Sequence, residues 1–171
     1  PARPGVLIHR LLERLPEVTP EQRNEAGGKW LARNASDFSS VDRDAMLESA
    51  LAVIADPQWA DLFSSSGLAE VPIAATVGGQ VIAGTIDRLL IEPGRVRVVD
   101  FKTSRRPPES IDQVPRAILR QMAAYAAALE KTYPARDIEL ALLYTATPRL
   151  IVIPPDVIAV HKLALSPVQQ S

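Results

Sequence analysis

The chain has 171 residues, of which 47% are apolar, and its formal net charge is −1. The length fits one domain, and the apolar fraction supplies a hydrophobic core and excludes a disordered chain. We expect neither a membrane span nor a secretion signal, because no run of about 18 apolar residues and no basic start followed by an apolar segment is present. The absence of cysteine excludes disulfides, thiolate zinc sites and cysteine-ligated iron–sulfur clusters.

The near-zero net charge hides a gradient along the chain. Residues 1–70 carry seven basic and eleven acidic side chains, whereas residues 95–120 carry seven basic and three acidic ones. A neutral total by itself argues against a nucleic-acid binder, since such proteins usually have a basic excess. The concentration of positive charge in one stretch instead indicates a local surface that favours anions.

The first 67 residues are predicted to be helical. Apolar residues at helical spacing predict helices over residues 5–15, 20–34 and 41–55, with a short helical turn ending at residue 63. Thr19 and Pro20 stand at the start of the second helix, where threonine can cap and proline suits the first helical position.

The pattern then changes to strands. We predict a three-strand meander over residues 68–77, 80–91 and 95–101, with turns at Gly78-Gly79 and Pro93-Gly94. A helix over residues 115–131 and strands over residues 137–145 and 150–153 follow.

The order of these elements predicts an α/β fold with a mixed β-sheet and helices packed on it, because a crossover helix follows the meander. We expect one domain with three parts. Residues 1–67 form the helical part, residues 68–155 form the core sheet with its crossover helix, and residues 156–171 form a C-terminal tail.

Two aspartates lie on neighbouring strands of this meander. Asp100 and Lys102 face one way at the end of the third strand, and Phe101 faces the other way, toward the core, because side chains alternate along a strand. Asp87 lies on the preceding strand, and the turn at Pro93-Gly94 can bring it near Asp100. Two converging carboxylates repel unless a cation lies between them, and such hard oxygen ligands suit Mg²⁺ or Mn²⁺.

Each candidate residue also has a purely structural interpretation, and this holds for His9 and Tyr125, which belong to motifs described below, as well as for the two aspartates. Asp100 in an Asp-X-Lys triplet is often part of a surface ion pair, and Asp87 with Arg88 is often a solvated pair. His9 lies in an apolar helical stretch, where a lone histidine is more often a core residue than a ligand, and Tyr125 can equally be a core residue. The occurrence of several motifs together, described next, favours a functional role for these residues over the structural interpretations.

Four motifs occur in an order that resembles the nuclease domain of the RecB type, in the PD-(D/E)XK superfamily. They are residues 5–13 with their histidine, Gly-Thr-Ile-Asp-Arg-Leu at 84–89, Val-Asp-Phe-Lys-Thr at 99–103, and Gln-Met-Ala-Ala-Tyr at 121–125. The arginine-rich and alanine-rich composition is most similar to the C-terminal nuclease domain of AddA, the helicase–nuclease subunit of bacterial double-strand break repair. The resemblance implies a restriction-endonuclease-like fold.

The resemblance also implies a metal site. His9, Asp87 and Asp100 would bind the ion, and the main-chain carbonyl of Phe101 would be a further ligand. Lys102 would act on the attacking water or stabilise charge on the phosphate.

The same resemblance implies roles for further positions. Gln121 and Tyr125 share one helix face, which in the family looks onto the active site and the nucleic-acid strand. Glu70 resembles an acidic position on the first strand. Contacts to the phosphate backbone are expected from four arginines of the loop and the following helix, which are Arg105, Arg106, Arg116 and Arg120.

The expected function is metal-dependent, exonuclease-like hydrolysis of DNA, with Mg²⁺ or Mn²⁺ as cofactor and no iron–sulfur cluster. The expected partners are DNA, as single strands or duplex ends, the helicase part of the same polypeptide and a second helicase–nuclease subunit. The expected location is the bacterial cytoplasm at the nucleoid, away from membranes.

Two alternatives differ from this expectation. In the first, the chain is a catalytically silent nuclease-fold module that binds DNA or docks a subunit through its acidic helical part, residues 17–66. The complete set of His9, Asp87, Asp100 and Lys102 speaks against it. In the second, it belongs to the CRISPR-type exonucleases or second-subunit nucleases that carry iron–sulfur clusters, which the lack of cysteine disfavours.

Overall fold

The computed structural model describes residues 4–104 and 106–165. Its contacts divide the chain into two compact units. The first comprises the residues up to Gly67 together with Phe101–Pro107 and Leu143–Arg149, and the second comprises Leu68–Asp100, Pro108–Leu142 and the residues from Leu150 onward. In the described ranges, every helix is too short or too polar to cross a bilayer.

Three helices make up most of the first unit. They are α1 (Pro4–Arg14), α2 (Pro20–Asn34) and α3 (Ser40–Ala55), and α3 packs against both of the others. Their shared core is rich in leucine, including the fully buried Leu11, Leu12 and Leu31. Burying one such side chain contributes about 1.5–3 kcal/mol, so this core holds α1 in place.

Helix capping differs from the expectation at one helix and explains a boundary at another. Within the described part of the chain, the side chain of Thr19 makes no capping hydrogen bond to α2. Ser39 does cap α3, because its hydroxyl accepts a hydrogen bond from the Asp42 amide at 3.1 Å. α3 therefore begins at Ser40, one residue earlier than the apolar spacing predicts.

The second unit contains most of the sheet and two helices. Its elements in chain order are β1 (Gly67–Val77), β2 (Gln80–Ile91), β3 (Arg95–Lys102), α4 (Arg116–Thr132), β4 (Asp137–Tyr144), β5 (Arg149–Val152) and α5 (Pro155–Leu163). The ends of β3 and β4 belong to the first unit.

The strands form one sheet in the order β1-β2-β3-β4-β5. β2 and β3 are antiparallel. β3 and β4 are parallel, because the Asp137 amide donates to the Gly94 carbonyl at 3.1 Å and the Thr145 amide to the Lys102 carbonyl at 2.9 Å, the same sequence offset at both ends. The sheet is therefore mixed, and with its flanking helices it confirms the predicted α/β fold class.

The C-terminal segment differs from the expected tail. Residues Pro155–Leu163 form α5, which starts at a proline and packs against α4. Ile158 of α5 is buried, and the Lys162 ammonium lies 2.6 Å from the Glu130 carboxylate of α4. Residues 166–171 lie outside the described residues.

The central strand β3 is buried on both faces. Sequence alternation placed only the Phe101 side toward the core, but Val96 and Val98, on the side of Asp100, are also fully buried. β3 has β2 and β4 as neighbours, and a strand covered on both faces is apolar almost throughout. Asp100 therefore interrupts an apolar strand interior.

Candidate active site

Asp87 and Asp100 follow directly on the last observed pair of β2 and β3. The observed register pairs Leu89 with Val98 and Arg88 with Val99, and continuing it by one position brings Asp87 opposite Asp100. Directly opposite residues of an antiparallel pair point to the same face, with Cβ atoms roughly 4.5–5.5 Å apart. The register is compatible with the expected convergence of the two carboxylates, which stays a prediction.

The turn between β2 and β3 fixes this register. The Glu92 amide donates to the Arg95 carbonyl at 2.9 Å, and the Arg95 guanidinium donates to the Glu92 carboxylate. This side-chain hydrogen bond from Arg95 lowers the pKa of Glu92 below its ordinary value. The acceptor is therefore ionised at neutral pH, and the turn keeps its closing contact.

The burial of the residues around the two aspartates decides between the structural interpretations that the sequence left open. Asp100 is only 6% exposed and Arg88 only 2%, so the interpretation of Asp87 and Arg88 as a solvated pair is wrong. Arg88 and Asp87 are adjacent in β2 and point to opposite faces. A buried carboxylate opposite a second carboxylate is costly unless a cation compensates the charge.

The main chain at Lys102 is anchored within the first unit. Its carbonyl accepts hydrogen bonds from the amide of Thr145 at 2.9 Å and from the hydroxyl of the same residue at 3.3 Å. The carbonyl of Thr145 in turn accepts a hydrogen bond from Ser49 of α3 at 3.0 Å. α3 and Thr145, the residue after β4, therefore fix the end of β3, from which the half-buried lysine side chain starts.

His9 lies on α1 in contact with two side chains of the first unit. Its Nε2 atom lies 3.1 Å from Oε1 of Glu13, one helical turn later. Its ring meets the ring of Phe101 edge to face, with 5.2 Å between the ring centres. Phe101 also stacks on Phe63 at 6.1 Å, so the residue between Asp100 and Lys102 packs against the histidine.

Gln121 and Tyr125 form a short hydrogen-bonded chain on α4. Gln121 Nε2 donates to the Tyr125 hydroxyl at 3.1 Å, and that hydroxyl donates to the Thr85 carbonyl of β2 at 3.3 Å. A Cβ atom built on Gly84 would lie 2.6 Å from the same hydroxyl, so α4 covers the Gly84 face of β2. Asp87 has the opposite parity and points to the other face. The structure thus gives Tyr125 a contact that holds β2, and its catalytic role stays a prediction.

Glu70 is exposed on β1 and has an unusual backbone. Its φ is +48°, which makes it the one non-glycine residue with positive φ in the described part of the chain. The left-handed region costs a non-glycine residue about 1–2 kcal/mol. A left-handed residue inside a strand is typical of a bulge.

The four arginines expected at the phosphate backbone fall in different segments. Arg106 is exposed in the loop after β3, and Arg116 and Arg120 are exposed on one face at the start of α4. Arg105 lies outside the described residues. The three described arginines have solvent-exposed side chains, which are accessible for contacts to a phosphate backbone.

The donor set on β2 and β3 fits a divalent metal. Two facing carboxylates offer the hard oxygen ligands that Mg²⁺ and Mn²⁺ prefer, and the ion would compensate their repulsion. Among the described residues, no group of three or more histidine, aspartate or glutamate side chains is arranged to hold a metal. The ligand roles of Asp87, Asp100, His9 and the Phe101 carbonyl therefore stay predictions.

Sequence reasoning gave no role to Glu13, Gly5 or Gly84. Glu13 stands four residues after His9 in an apolar helix, and this spacing was the signal that it contacts the histidine. A Cβ atom on Gly5 would lie 2.4 Å from Cβ of Thr103, so the absence of a side chain lets α1 approach the residue after Lys102. No sequence signal identifies such a close approach between distant residues.

Comparison with known proteins agrees with this geometry. The family model described as PD-(D/E)XK nuclease superfamily matches residues 1–168. A solved structure titled "Crystal structure of SSO0001" is similar at 18% identity, covering 97% of this chain and 88% of that chain with a TM-score of 0.38, a value too low to support an argument. A search of the curated proteins found no match.

Proposed function

Because the chain belongs to the PD-(D/E)XK nuclease superfamily, we propose that it is a metal-dependent deoxyribonuclease of the RecB/AddA type. The observation that supports the proposal most is the register of β2 and β3, which pairs Arg88 with Val99 and, continued by one position, brings Asp87 opposite Asp100. Two carboxylates at this distance repel, and a divalent cation between them would favour the arrangement.

Asp87 and Asp100 would hold Mg²⁺ or Mn²⁺ through their carboxylate oxygens, with His9 and the Phe101 carbonyl as predicted further ligands. When bound, the ion lowers the pKa of a water molecule and neutralises charge on the phosphate. In the hydrolysis, the water oxygen forms a bond to phosphorus, the bond to the leaving oxygen breaks, and a proton passes to that oxygen.

Lys102 contributes a cation at the end of β3. We assign its ammonium group to the oxygens of the scissile phosphate and to the attacking water, where a fixed positive charge favours the more negative transition state. The anchoring of its main chain by Thr145 supports this role, because a charge that is already in position needs little reorganisation during the reaction.

The substrate proposed for the site is DNA as single strands or duplex ends. Exposed Arg106, Arg116 and Arg120 favour contacts to phosphates without reading the base sequence. A groove of about 810 Å³ in the first unit is bordered by Ile8, Thr103 and other mostly uncharged residues, and it begins one residue after Lys102.

The wider setting rests on the resemblance to the AddA nuclease domain. We propose that a helicase part of the same polypeptide and a second helicase–nuclease subunit work with this domain in double-strand break repair and recombination. Such an enzyme acts in the bacterial cytoplasm at the nucleoid, where its DNA lies.

The direct test is cleavage of end-labelled single-stranded DNA by the purified chain with Mn²⁺. Cleavage that needs the metal and is abolished by Asp100→Ala supports the proposal. Lys102→Ala should abolish cleavage while Mn²⁺ still binds in a calorimetric titration. DNA binding without cleavage at high enzyme concentration would instead favour the catalytically silent module, and cleavage unchanged by Asp100→Ala would show that the site lies elsewhere.

A further inference from the structure

The groove of about 810 Å³ in the first unit lies next to the end of β3. It is bordered by the start of α1, by the loop before α3, by α3 itself and by Thr103, which directly follows Lys102. Pockets that enclose small organic groups have volumes of roughly 300–1,000 Å³. The groove is therefore large enough for part of a substrate, and it adjoins the lysine that we assign to the scissile phosphate.

The lining of this groove favours an uncharged group over a phosphate. Among the described residues that border it, Asp42 carries the one formal charge, and that charge is negative. The other side chains are apolar, such as Ile8 and Met46, or carry a hydroxyl, such as Ser49 and Thr103. Phosphates are bound by cationic side chains, whereas a nucleobase has apolar faces and polar edges. The lining thus suits a base better than the sugar–phosphate backbone.

Phe38 is the aromatic residue that borders this groove. It is half-buried, whereas the residues on both sides, 36–37 and 39–40, are polar and exposed. Its amide donates to the Ala35 carbonyl at 3.1 Å, and its carbonyl accepts a hydrogen bond from the Arg43 guanidinium at 2.6 Å. Phe38 therefore stands on a backbone that is already ordered, which lowers the entropic cost of binding a ligand there.

We propose that this groove receives one unstacked base of the DNA strand, the base next to the phosphate that is cleaved, and that Phe38 stacks on it. Aromatic side chains bind single strands in this way without sequence preference, because every base has a π face. The inference rests on the proposed function, since that function supplies the DNA strand and assigns Lys102 to the scissile phosphate. The base subsite and its aromatic residue go beyond that function.

The first test measures the binding of a single-stranded oligonucleotide by fluorescence anisotropy, without divalent metal so that the strand stays intact. Stacking on an aromatic side chain contributes roughly 5–100-fold to affinity, so Phe38→Ala should weaken binding by that factor. Phe38→Leu, which stays apolar but lacks a ring, should also weaken it, and Phe38→Trp should not. Val41→Ala, at an exposed apolar residue of α3 outside the lining, is the matched control and should bind as the unmodified chain does. Unchanged affinity in Phe38→Leu would overturn the inference.

The second test places an abasic nucleotide at one position after another of the same strand. Such a nucleotide keeps the phosphate and the sugar but has no base to stack. At one position it should therefore weaken binding to the unmodified chain about as much as Phe38→Ala does. There the two changes together should cost no more than either alone, because they remove the same contact. Additive effects at every position would contradict the inference.

Cleavage of these strands with Mn²⁺ separates this inference from the proposed function. We expect the coupled position to lie beside the cleaved bond, and a coupled position several nucleotides away would refute the placement next to Lys102. If Asp100→Ala abolishes cleavage but Phe38 shows no coupling to any base, the base subsite is refuted and the nuclease stands. If the coupling is found but no strand is cleaved at high enzyme concentration, the proposed activity is refuted and the base subsite stands.

Discussion

The hydroxyl of Tyr125 lies where a side chain on Gly84 would begin, because a Cβ atom built on that glycine is 2.6 Å from the tyrosine oxygen. The same hydroxyl donates to the carbonyl of Thr85 at 3.3 Å. α4 therefore contacts the backbone of β2 two and three residues before Asp87, at Thr85 and Gly84. Glycine in the Gly-Thr-Ile-Asp motif thus has a packing role, since it lets a helix come close to the strand that carries the aspartate.

We predict that Gly84→Ala destabilises the fold by about 1–3 kcal/mol, the usual cost of overpacking a filled site. Tyr125→Phe removes the colliding oxygen, so it should cost less in the Gly84→Ala background than in the unmodified chain. Urea unfolding of the unmodified chain, the two single variants and the double variant measures the coupling free energy between Gly84 and Tyr125.

The control for this cycle is Gly94→Ala. Within the described residues, no heavy atom lies within 4 Å of a Cβ atom built on Gly94, so this change should be independent of Tyr125→Phe. Additive effects of Gly84→Ala and Tyr125→Phe would show that the contact with the tyrosine hydroxyl does not constrain β2.

Gly5→Ala should destabilise the first unit and slow DNA cleavage. The new methyl group would lie 2.4 Å from Cβ of Thr103, and Thr103 directly follows Lys102, so the lysine would shift with its neighbour. Thr103→Gly in the same protein removes that collision and should restore part of the stability. Thermal unfolding and the cleavage rate are the measurements.

Gly28→Ala is the matched control for Gly5→Ala. Gly28 lies inside α2, and the nearest contact of an added Cβ atom is Leu47 at 4.0 Å. Alanine is favoured over glycine in a helix by about 1 kcal/mol, so this variant should be more stable. Equal stabilisation by Gly5→Ala would contradict a close approach between α1 and Thr103.

Glu70→Gly should stabilise the protein by about 1 kcal/mol, because glycine adopts a positive φ without the steric cost that Glu70 bears. Glu109→Gly, at an exposed loop glutamate, should lower the free energy of unfolding. If the predicted acidic role of Glu70 is right, its variant also cleaves DNA more slowly while it is more stable. Destabilisation by Glu70→Gly would refute the idea that strain is stored there.

The double variant Arg116→Ala with Arg120→Ala should weaken the binding of single-stranded DNA and reduce its salt dependence. Each lost phosphate contact lowers the slope of log K against log salt by about 0.7 for a single strand. Fluorescence anisotropy without divalent metal, over a range of salt concentrations, gives both quantities. Arg33→Ala, at an exposed arginine of α2, should leave the slope unchanged, and an unchanged slope in the double variant would refute the contact.

The parts of the fold that local patterns determine were predictable from the sequence. β2 was predicted over residues 80–91 and spans Gln80–Ile91, because period-two alternation between two turns defines a strand. The short turn at Pro93-Gly94 was also predicted, and it sets the antiparallel register of β2 and β3. The predicted site on β2 and β3 depends on this local feature.

Contacts between distant residues were not predictable in this way. The approach of Gly5 to Thr103 depends on how α1 packs, and burial on the Val98 face of β3 depends on what covers the sheet. The helix at Pro155–Leu163 was not predicted, because it is stabilised by its tertiary contact with α4. In each case the deciding interaction joins segments far apart in the chain.

The central claim is that Asp87 and Asp100 share one divalent metal ion, and thermal unfolding with and without Mn²⁺ tests it most directly. At 100 times the dissociation constant, Mn²⁺ should stabilise the unmodified chain by about 2.7 kcal/mol and Asp87→Asn far less, while the exposed control Asp112→Asn should behave as the unmodified chain. Equal stabilisation of the unmodified chain and Asp87→Asn by Mn²⁺, or no stabilisation of either, would contradict the claim.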